Sequence, residues 1–330
     1  MSSGPRVVVG APLFEKVAYL PAAVESLLSQ SFEDFALVLV DDRSGDNTVA
    51  VARAYAERDS RVHVQVNERR LGMLGNTRTA LSLSRELFPA AEFWALGSDH
   101  DIWHPRFFET LVDLLEAHPE AVLAVPSVQR IDEHGRPYPP KARVKQLGTL
   151  GARDPHERAR LAFGTMAAGD MVYGLFRTST LDRLGHYRDV LVPDRLLLFE
   201  TALHGATVQA PEVLWQRRFK GLADTGRQRR GFWPEGPPTS SRLPWWVQHT
   251  GALAWTYGRH GAGRPLGIGR LGGVYLALTY LRLALAMRGR RRWRRGLGAL
   301  SAMRRRLPGA RSKPARKPGA KKRTKEARAR

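Results

Sequence analysis

The stretch EFWALGSDHDIWHP, residues 92–105, decides the fold. It opens on a short apolar run of the length and composition of a fully buried strand. The run ends at Gly97, and two aspartates follow at once, Asp99 and Asp101, one residue apart around His100. Carboxylates that close repel one another, so the pair points to a cation between them. A second reading stays open on local sequence alone: either aspartate could cap the helix expected after Pro105, a residue suited to a first helical turn because its missing N–H costs nothing there.

Working outward, RVVVG (6–10), ALVLVDD (36–42), RVHVQV (61–66) and AVLAVP (121–126) repeat the buried-strand pattern. Between them the spacing predicts helices over 21–30, 48–59, 76–88 and 105–118. Strands alternating with helices of this length predict an open, mostly parallel sheet covered on both faces. Ligands of such sheets sit at the carboxyl ends of the strands. Both acidic clusters, Asp41-Asp42 and Asp99-His100-Asp101, fall at such ends. Hard oxygen ligands there suit Mg²⁺ or Mn²⁺, which take one or two carboxylates and complete their shell with substrate phosphates and water. Asp41 and Asp42 are placed to accept hydrogen bonds from a base or a ribose.

The periodicity weakens over 127–165 and returns in 169–187, 192–205 and 206–219. Residues 226–248 read as a Pro/Gly/Arg loop with aromatics. The apolar stretch 274–287 is shorter than the roughly 20 residues that span a bilayer. No secretory leader is read at MSSGPRVVVG, and the absence of cysteine excludes disulfides and thiolate metal sites.

The net charge of +22 is not spread evenly: 19 Lys/Arg and one acid lie between Arg288 and Arg330, leaving +4 for all that precedes them. Basicity confined to an appendage, without a nucleic-acid-binding motif, predicts no nucleic-acid partner. An apolar stretch followed by RGRRRWRRG (288–296) instead reads as a segment for an anionic membrane surface. The other reading of the same stretch is a helix packed on the body, followed by a solvated tail.

The run GAPLFEKVAYLPAAVESLLSQSFEDFALVLVDDRSGDNT (10–48) closely resembles the start of family 2 glycosyltransferases. The resemblance continues through LGMLGNTRTAL (71–81), SDHDIWHPRFFETL (98–111), GLFRTSTLDRLGHY (174–187) and PDRLLLFETALHG (193–205), about two thirds of the chain in all. It implies an α/β GT-A fold: a Rossmann-like mixed sheet flanked by helices, here with a C-terminal helical extension and a disordered basic tail. The expected division is a catalytic domain over 1–225, a Pro/Gly-rich loop and helical, membrane-surface segment over 226–303, and a basic tail over 304–330.

The implied reaction is inverting, metal-dependent transfer of a sugar from a nucleotide-diphosphate donor to a hydroxyl acceptor. The implied acceptor is a lipid-linked or polysaccharide one, in cell-surface polysaccharide, glycolipid or cell-wall synthesis. The implied location is cytoplasmic, peripheral on the inner face of the membrane. By position, Pro12 resembles the loop beneath the base, Asp41 and Asp42 the acidic pair that reads it (Asp41 slightly favoured), and Asp99 and Asp101 the clamp for Mg²⁺ or Mn²⁺ on the diphosphate. Asp194 aligns with the general base. Arg69, Arg70 and Arg78 are candidates for phosphate contacts, because guanidinium binds phosphate in a bidentate manner. Asp170 is expected to line the acceptor pocket, and Glu200 either to contact the acceptor or to pair with an arginine such as Arg195.

The chain departs from the family pattern in places. Pro193-Asp194 stands where Glu-Asp is usual, Glu200 where an arginine is common, and Phe14-Glu15 where Tyr-Asn is common. His100 should turn away from the aspartates if its segment is extended, because adjacent side chains alternate. Two further function classes remain at this stage. A nucleotidyltransferase would need a Gly-rich phosphate loop that GAPLFEKV lacks. A non-catalytic sugar-nucleotide or membrane-surface binder would survive loss of Asp194.

Overall fold

The computed structural model describes residues 4–138, 148–184, 187–218 and 225–306, with side chains through Gly289. Eight strands form one mixed sheet in the order β3-β2-β1-β4-β7-β6-β8-β5. These are β1 (Val7–Leu13), β2 (Phe35–Asp41), β3 (Val62–Val66), β4 (Phe93–Leu96), β5 (Ile102–Trp103), β6 (Ala121–Ile131), β7 (Leu175–Arg177) and β8 (Ala206–Arg218). Strands β1 to β4 are mutually parallel, as the buried apolar runs predict. The second half is where the sheet becomes mixed. Strand β7 runs antiparallel to both β4 and β6, while β6 and β8 pair in parallel along nearly their whole length.

The helices of the first half are α1 (Leu20–Leu28), α2 (Thr48–Ala56), α3 (Gly72–Leu87) and α4 (Phe107–Ala117). Each lays one apolar stripe on the sheet: in α4, Phe107, Phe108, Leu111, Val112 and Leu115 are buried at i, i+1, i+4, i+5 and i+8. Phe108 stands between Phe107 (ring centroids 5.4 Å apart) and Phe35 of β2 (5.3 Å). Pro105 precedes α4 rather than opening it, and its carbonyl accepts the N–H of Ser31 at 2.9 Å, tying α1's exit to α4's entry.

Beyond β6 come α5 (Pro155–Thr165), α6 (Ala168–Met171), α7 (Thr178–Leu184) and α8 (Pro193–His204). Asp154 caps α5 by accepting the N–H of Glu157 at 2.8 Å, with Pro155 in the first turn. Residues 226–248, expected as loop, are largely helical. Helix α9 (Thr225–Phe232) and a 3₁₀ turn (Thr239–Arg242) lead into α10 (Trp245–Leu253) and a π-helical turn (Ala254–Arg259). Periodicity misses these because the elements are short and interrupted by Pro234, Pro237, Pro238 and Pro244. The expected helical extension is α11 (Arg270–Arg306), within which the apolar stretch 274–287 lies.

The chain divides into two compact units, Met1–Leu283 and Ala284–Arg330. The first holds the sheet, the site and the opening of α11. In the second, helix continues to Arg306, so residues 304–306 of the expected disordered tail (304–330) are helical, and the remainder lies outside the described residues. No helix among the described residues is long and apolar enough to cross a membrane.

Replacing Phe108 with Ala removes a side chain wholly enclosed between β2 and α4. A loss of about 3–5 kcal/mol is expected, measured as a lowered urea midpoint with an unchanged slope.

Candidate active site

The carboxyl end of β4 is pressed against β1. A Cβ at Gly97 would lie 2.7 Å from that of Ala11, so only glycine lets the two backbones approach. This brings Asp99 under the turn after β1, where its Oδ2 accepts the N–H of Phe14 at 3.1 Å. The chain then bends at residues 99–100 instead of staying extended, so side chains do not alternate and His100 does not turn away from the aspartates. Its Nδ1 lies 2.5 Å from Asp99 Oδ1, and its Nε2 3.9 Å from Asp101 Oδ1. Burial disfavours the imidazolium, yet the bond to Asp99 and the charges of both aspartates outweigh it and raise the His100 pKa. Asp101 is 1% exposed, and burial raises its pKa too. Its Oδ1 accepts the backbone N–H of Arg218 at 2.7 Å. The Arg218 guanidinium donates to the carbonyls of His100, Asp132 and Glu133, fastening β8 over the motif.

Among the described residues, no three His, Cys, Asp or Glu side chains form a ready-made cage. What converges is a pair of carboxylates around a raised-pKa imidazole, a locus that demands positive charge. Two hard oxygen donors fit Mg²⁺ or Mn²⁺, whose remaining positions are filled by water and substrate phosphate.

At the end of β2 the two aspartates do different work. Asp41 is wholly buried and closes a local turn: its Oδ1 accepts Ser44 N–H at 2.8 Å and its Oδ2 the Ser44 hydroxyl at 2.6 Å. Asp42 accepts the N–H groups of Leu71 (2.6 Å) and Gly72 (2.8 Å), two of the orphan donors at the start of α3. This cap, supplied from thirty residues away, explains why α3 begins at Gly72 rather than at Asn76. Asn67 donates to Asp42 (3.1 Å) and to Asn76 (2.9 Å). Asn76 in turn donates to the carbonyls of Leu13 and Val40. Pro12 lies within β1, level with Val40.

The three candidate phosphate arginines gather at one cavity of about 250 Å³, whose far wall is Phe232–Gly236 beyond α9. Their present partners differ. Arg69 pairs with Glu235. Arg78 donates to the Tyr187 carbonyl at 2.6 Å and pairs with Asp189 at 2.7 Å. Arg70 lies over the Phe14 ring, 4.0 Å from its centroid, and so next to the residue that Asp99 holds.

Asp194 opens α8, with Pro193 in the same first turn. It keeps a path to solvent, but the protein packed around it pushes its pKa up to about 6, against the opposing charge of Arg217 and a hydrogen bond from Tyr187. The residue before this helix, Val192, is left-handed (φ 57°, ψ 47°). For a β-branched side chain that conformation is an outlier costing on the order of 1–3 kcal/mol.

The buried Tyr173 hydroxyl feels the charges of Asp101, Asp194 and Asp99 together, and its pKa is raised by burial first and then by them. Its ring stacks on Trp215 of β8, centroids 4.7 Å apart. Arg217 supplies the countercharge to both Asp101 and Asp194 and pairs with Asp170 at 2.6 Å. Asp170 also faces Arg130 at 3.5 Å. Glu200, 2% exposed on α8, forms an ion pair with Arg188 at 2.7 Å.

Sequence reasoning therefore located the carboxylates and missed what surrounds them. Tyr173 and Arg217 meet their partners from separate strands and helices, while Tyr187 and Asn67 reach Asp194 and Asn76 through loop conformation that sequence spacing does not specify. Asn76 and Tyr187 lie inside the motifs 71–81 and 174–187, but nothing there marked them as site residues.

Fold and site together define an α/β protein of mixed sheet, with acidic residues at its strand ends and a further acid on a separate helix. The chain belongs to glycosyl transferase family 2, whose profile matches residues 9–182. The amylovoran biosynthesis glycosyltransferase AmsE of Erwinia amylovora is 31% identical over 223 residues, 66% of this chain and 76% of AmsE. The putative glycosyltransferase EpsE of Bacillus subtilis is 33% identical over 137 residues, 41% of this chain; the match spans about half of EpsE, 47% of its length. Among solved structures, S. aureus TarS 1–349 with UDP-GlcNAc superposes with a TM-score of 0.51 at 14% identity, over 84% of this chain and 82% of that one. The mannosyltransferase PcManGT from Pyrobaculum calidifontis, with GDP-Man and Mn²⁺, gives 0.50 at 17% identity, over 86% and 76%. At such identities the likeness is one of fold, and that fold is GT-A.

The raised pKa of Asp194 carries a stability consequence. A carboxyl whose pKa is higher folded than unfolded destabilises the native state when ionised, so its penalty is absent below about pH 4 and complete above about pH 6. Asp194→Asn should therefore raise the melting temperature at pH 7.5, and the gain should vanish at pH 4. Differential scanning fluorimetry across that range reads it.

Proposed function

We propose that the chain is an inverting, metal-dependent glycosyltransferase that moves a sugar from a nucleoside-diphosphate donor to an acceptor hydroxyl. The observation that carries this reading is the convergence of Asp99, Asp101 and Asp194 around Tyr173, with Arg217 serving both sides. Asp194, with a pKa of about 6, is ionised at neutral pH yet basic enough to accept a proton. It takes the proton from the acceptor hydroxyl as that oxygen attacks the anomeric carbon. The bond to the nucleoside diphosphate breaks on the opposite side, and the single displacement inverts the centre.

Mg²⁺ or Mn²⁺ held by Asp99 and Asp101 would supply Lewis-acid neutralisation of the departing diphosphate. Arg70, over the ring of the Phe14 whose N–H Asp99 accepts, would contact the same phosphates, and Arg78 would serve through the cavity wall it shares with Asp189. Pro12 and Asp41 border the base and ribose, while Asp42 shapes that pocket by capping α3. Asp170 and Arg130 flank the acceptor. TarS binding UDP-GlcNAc and PcManGT binding GDP-Man with Mn²⁺ support a nucleotide sugar as donor, and the name of AmsE, an amylovoran biosynthesis glycosyltransferase, supports a role in polysaccharide synthesis.

Asp194→Asn should lower turnover by roughly 10²–10⁴-fold while a thermal shift on adding the donor persists. Wild-type kcat should fall on the acid side of about pH 6. Asp101→Ala should lose Mn²⁺-stimulated turnover, and full activity of that variant in EDTA would remove the metal role. A thermal-shift screen of UDP- and GDP-sugars with and without Mn²⁺ identifies the donor, because a ligand of the native state raises its melting temperature.

The reading extends to a peripheral position on the inner face of the membrane, close to a lipid-linked or polysaccharide acceptor. Helix α11 buries Leu276, Ala277 and Tyr280 on one face, yet exposes Leu271 (87%), Val274 (45%), Tyr275 (60%) and Leu278 (52%) on the other. A helix apolar on both faces has one face without a partner. The arginine run that begins at Arg288 matches the charge of anionic headgroups. Sedimentation with phosphatidylglycerol vesicles, but not with neutral ones, is expected, and Leu271→Ser with Leu278→Ser should weaken it at unchanged charge.

A further inference from the structure

The turn that delivers Asp194 is held in a strained shape by residues lying far beyond residue 182, where the family profile ends. Leu191 and Val192 form that turn. The N–H of Leu191 donates to Gln248 Oε1 at 3.0 Å, and the N–H of Val192 to Gln228 Oε1 at 3.3 Å. The carbonyl of Leu191 meets His249 Nε2 at 2.7 Å. A carbonyl can only accept, so Nε2 carries the hydrogen, and Nδ1 is left to accept from the Tyr280 hydroxyl 2.5 Å away. His249 and Tyr280 are wholly buried, and burial keeps the imidazole neutral by pushing its pKa down to about 3. Gln248 is itself anchored, donating to the Leu243 carbonyl at 2.7 Å.

Three backbone polar groups of this turn are thus fastened to α9 and α10. Val192 cannot hold the left-handed shape by preference, and Pro193 bars it from the ordinary right-handed helical region. Released, the turn would relax to an extended conformation. The carbonyl of Val192 accepts the N–H of Arg195 at 3.1 Å, so the first turn of α8 moves with Val192 and carries Asp194 along.

We propose that His249, Gln248 and Gln228 are positioning residues for Asp194: they hold the Leu191–Val192 turn left-handed and so aim the carboxylate at the acceptor hydroxyl. The region from α9 to the start of α11 is then a working part of the active site. This rests on Asp194 as the base.

The test uses the full chain and its donor. His249→Ala should lower kcat about tenfold or more, as misplacement of a catalytic group does, while the donor KM and the donor-induced thermal shift stay within about twofold. Adding Val192→Gly should restore most of the lost kcat, since glycine adopts the left-handed conformation without strain. A merely structural role of His249 predicts no such rescue. A folded His249→Ala chain with wild-type kcat, a loss of donor binding equal to the loss of kcat, or a double variant no better than the single one would each overturn the proposal. If His249→Ala does not fold, Gln228→Ala with and without Val192→Gly decides by the same readouts. Asp194→Asn is assayed alongside: if it keeps its turnover, the base assignment fails, whereas an inactive Asp194→Asn beside a fully active His249→Ala condemns the clamp alone.

Discussion

The carboxylate of Asp42 is the constraint on which the first half of the site depends. It is buried, and a buried charge is tolerated only where donors replace the water it has lost. The donors are the N–H groups of Leu71 and Gly72 and the amide of Asn67. One carboxylate therefore sets where β2 stops, where α3 starts and how the segment between β3 and α3 runs. Gly72 is confined by the same bargain: its φ is +74°, and a Cβ there would strike the Phe232 carbonyl. Arg69 and Arg70 of that segment line the cavity beside the start of α3.

The second constraint is charge balance across the sheet. Two acidic residues end β4, a third opens α8, and the protein places its own cations among them. His100 stands between Asp99 and Asp101, and Arg217 serves Asp101 and Asp194 from β8. Arg217 lowers the Asp194 pKa without cancelling the effect of burial, which leaves that carboxyl titrating at about 6.

Legibility in the sequence followed the range of the forces involved. The four parallel strands and their helices showed themselves through local periodicity, since burial on both faces leaves near-continuous apolar runs such as ALVLV. The acidic ends were legible because a strand's carboxyl end is a position that sequence order alone defines. Pairing of β7 was not, because a three-residue strand has no period to read, and its antiparallel direction is set by neighbours 80 residues upstream and 50 upstream. Helices α9 and α10 hid among prolines. The bend at Asp99-His100 was missed because it comes from the close approach of Gly97 to Ala11, a tertiary fact. That Asp42 caps α3 was not legible, because no inspection of its neighbours in sequence could reveal donors some thirty residues downstream.

Strand β7 deserves a last consideration for what it separates. It lies between β4 and β6 and opposes both, so at that place the row of carboxyl-terminal strand ends is interrupted by an amino-terminal one. The ends of β1, β2 and β4 form one neighbourhood, and the ends of β6 and β8 another, each with its own loops. Two sets of loops built this way can differ in shape without either disturbing the other's register. The short reversed strand gives the fold modularity: one half can keep its partner while the other is remodelled for a new one.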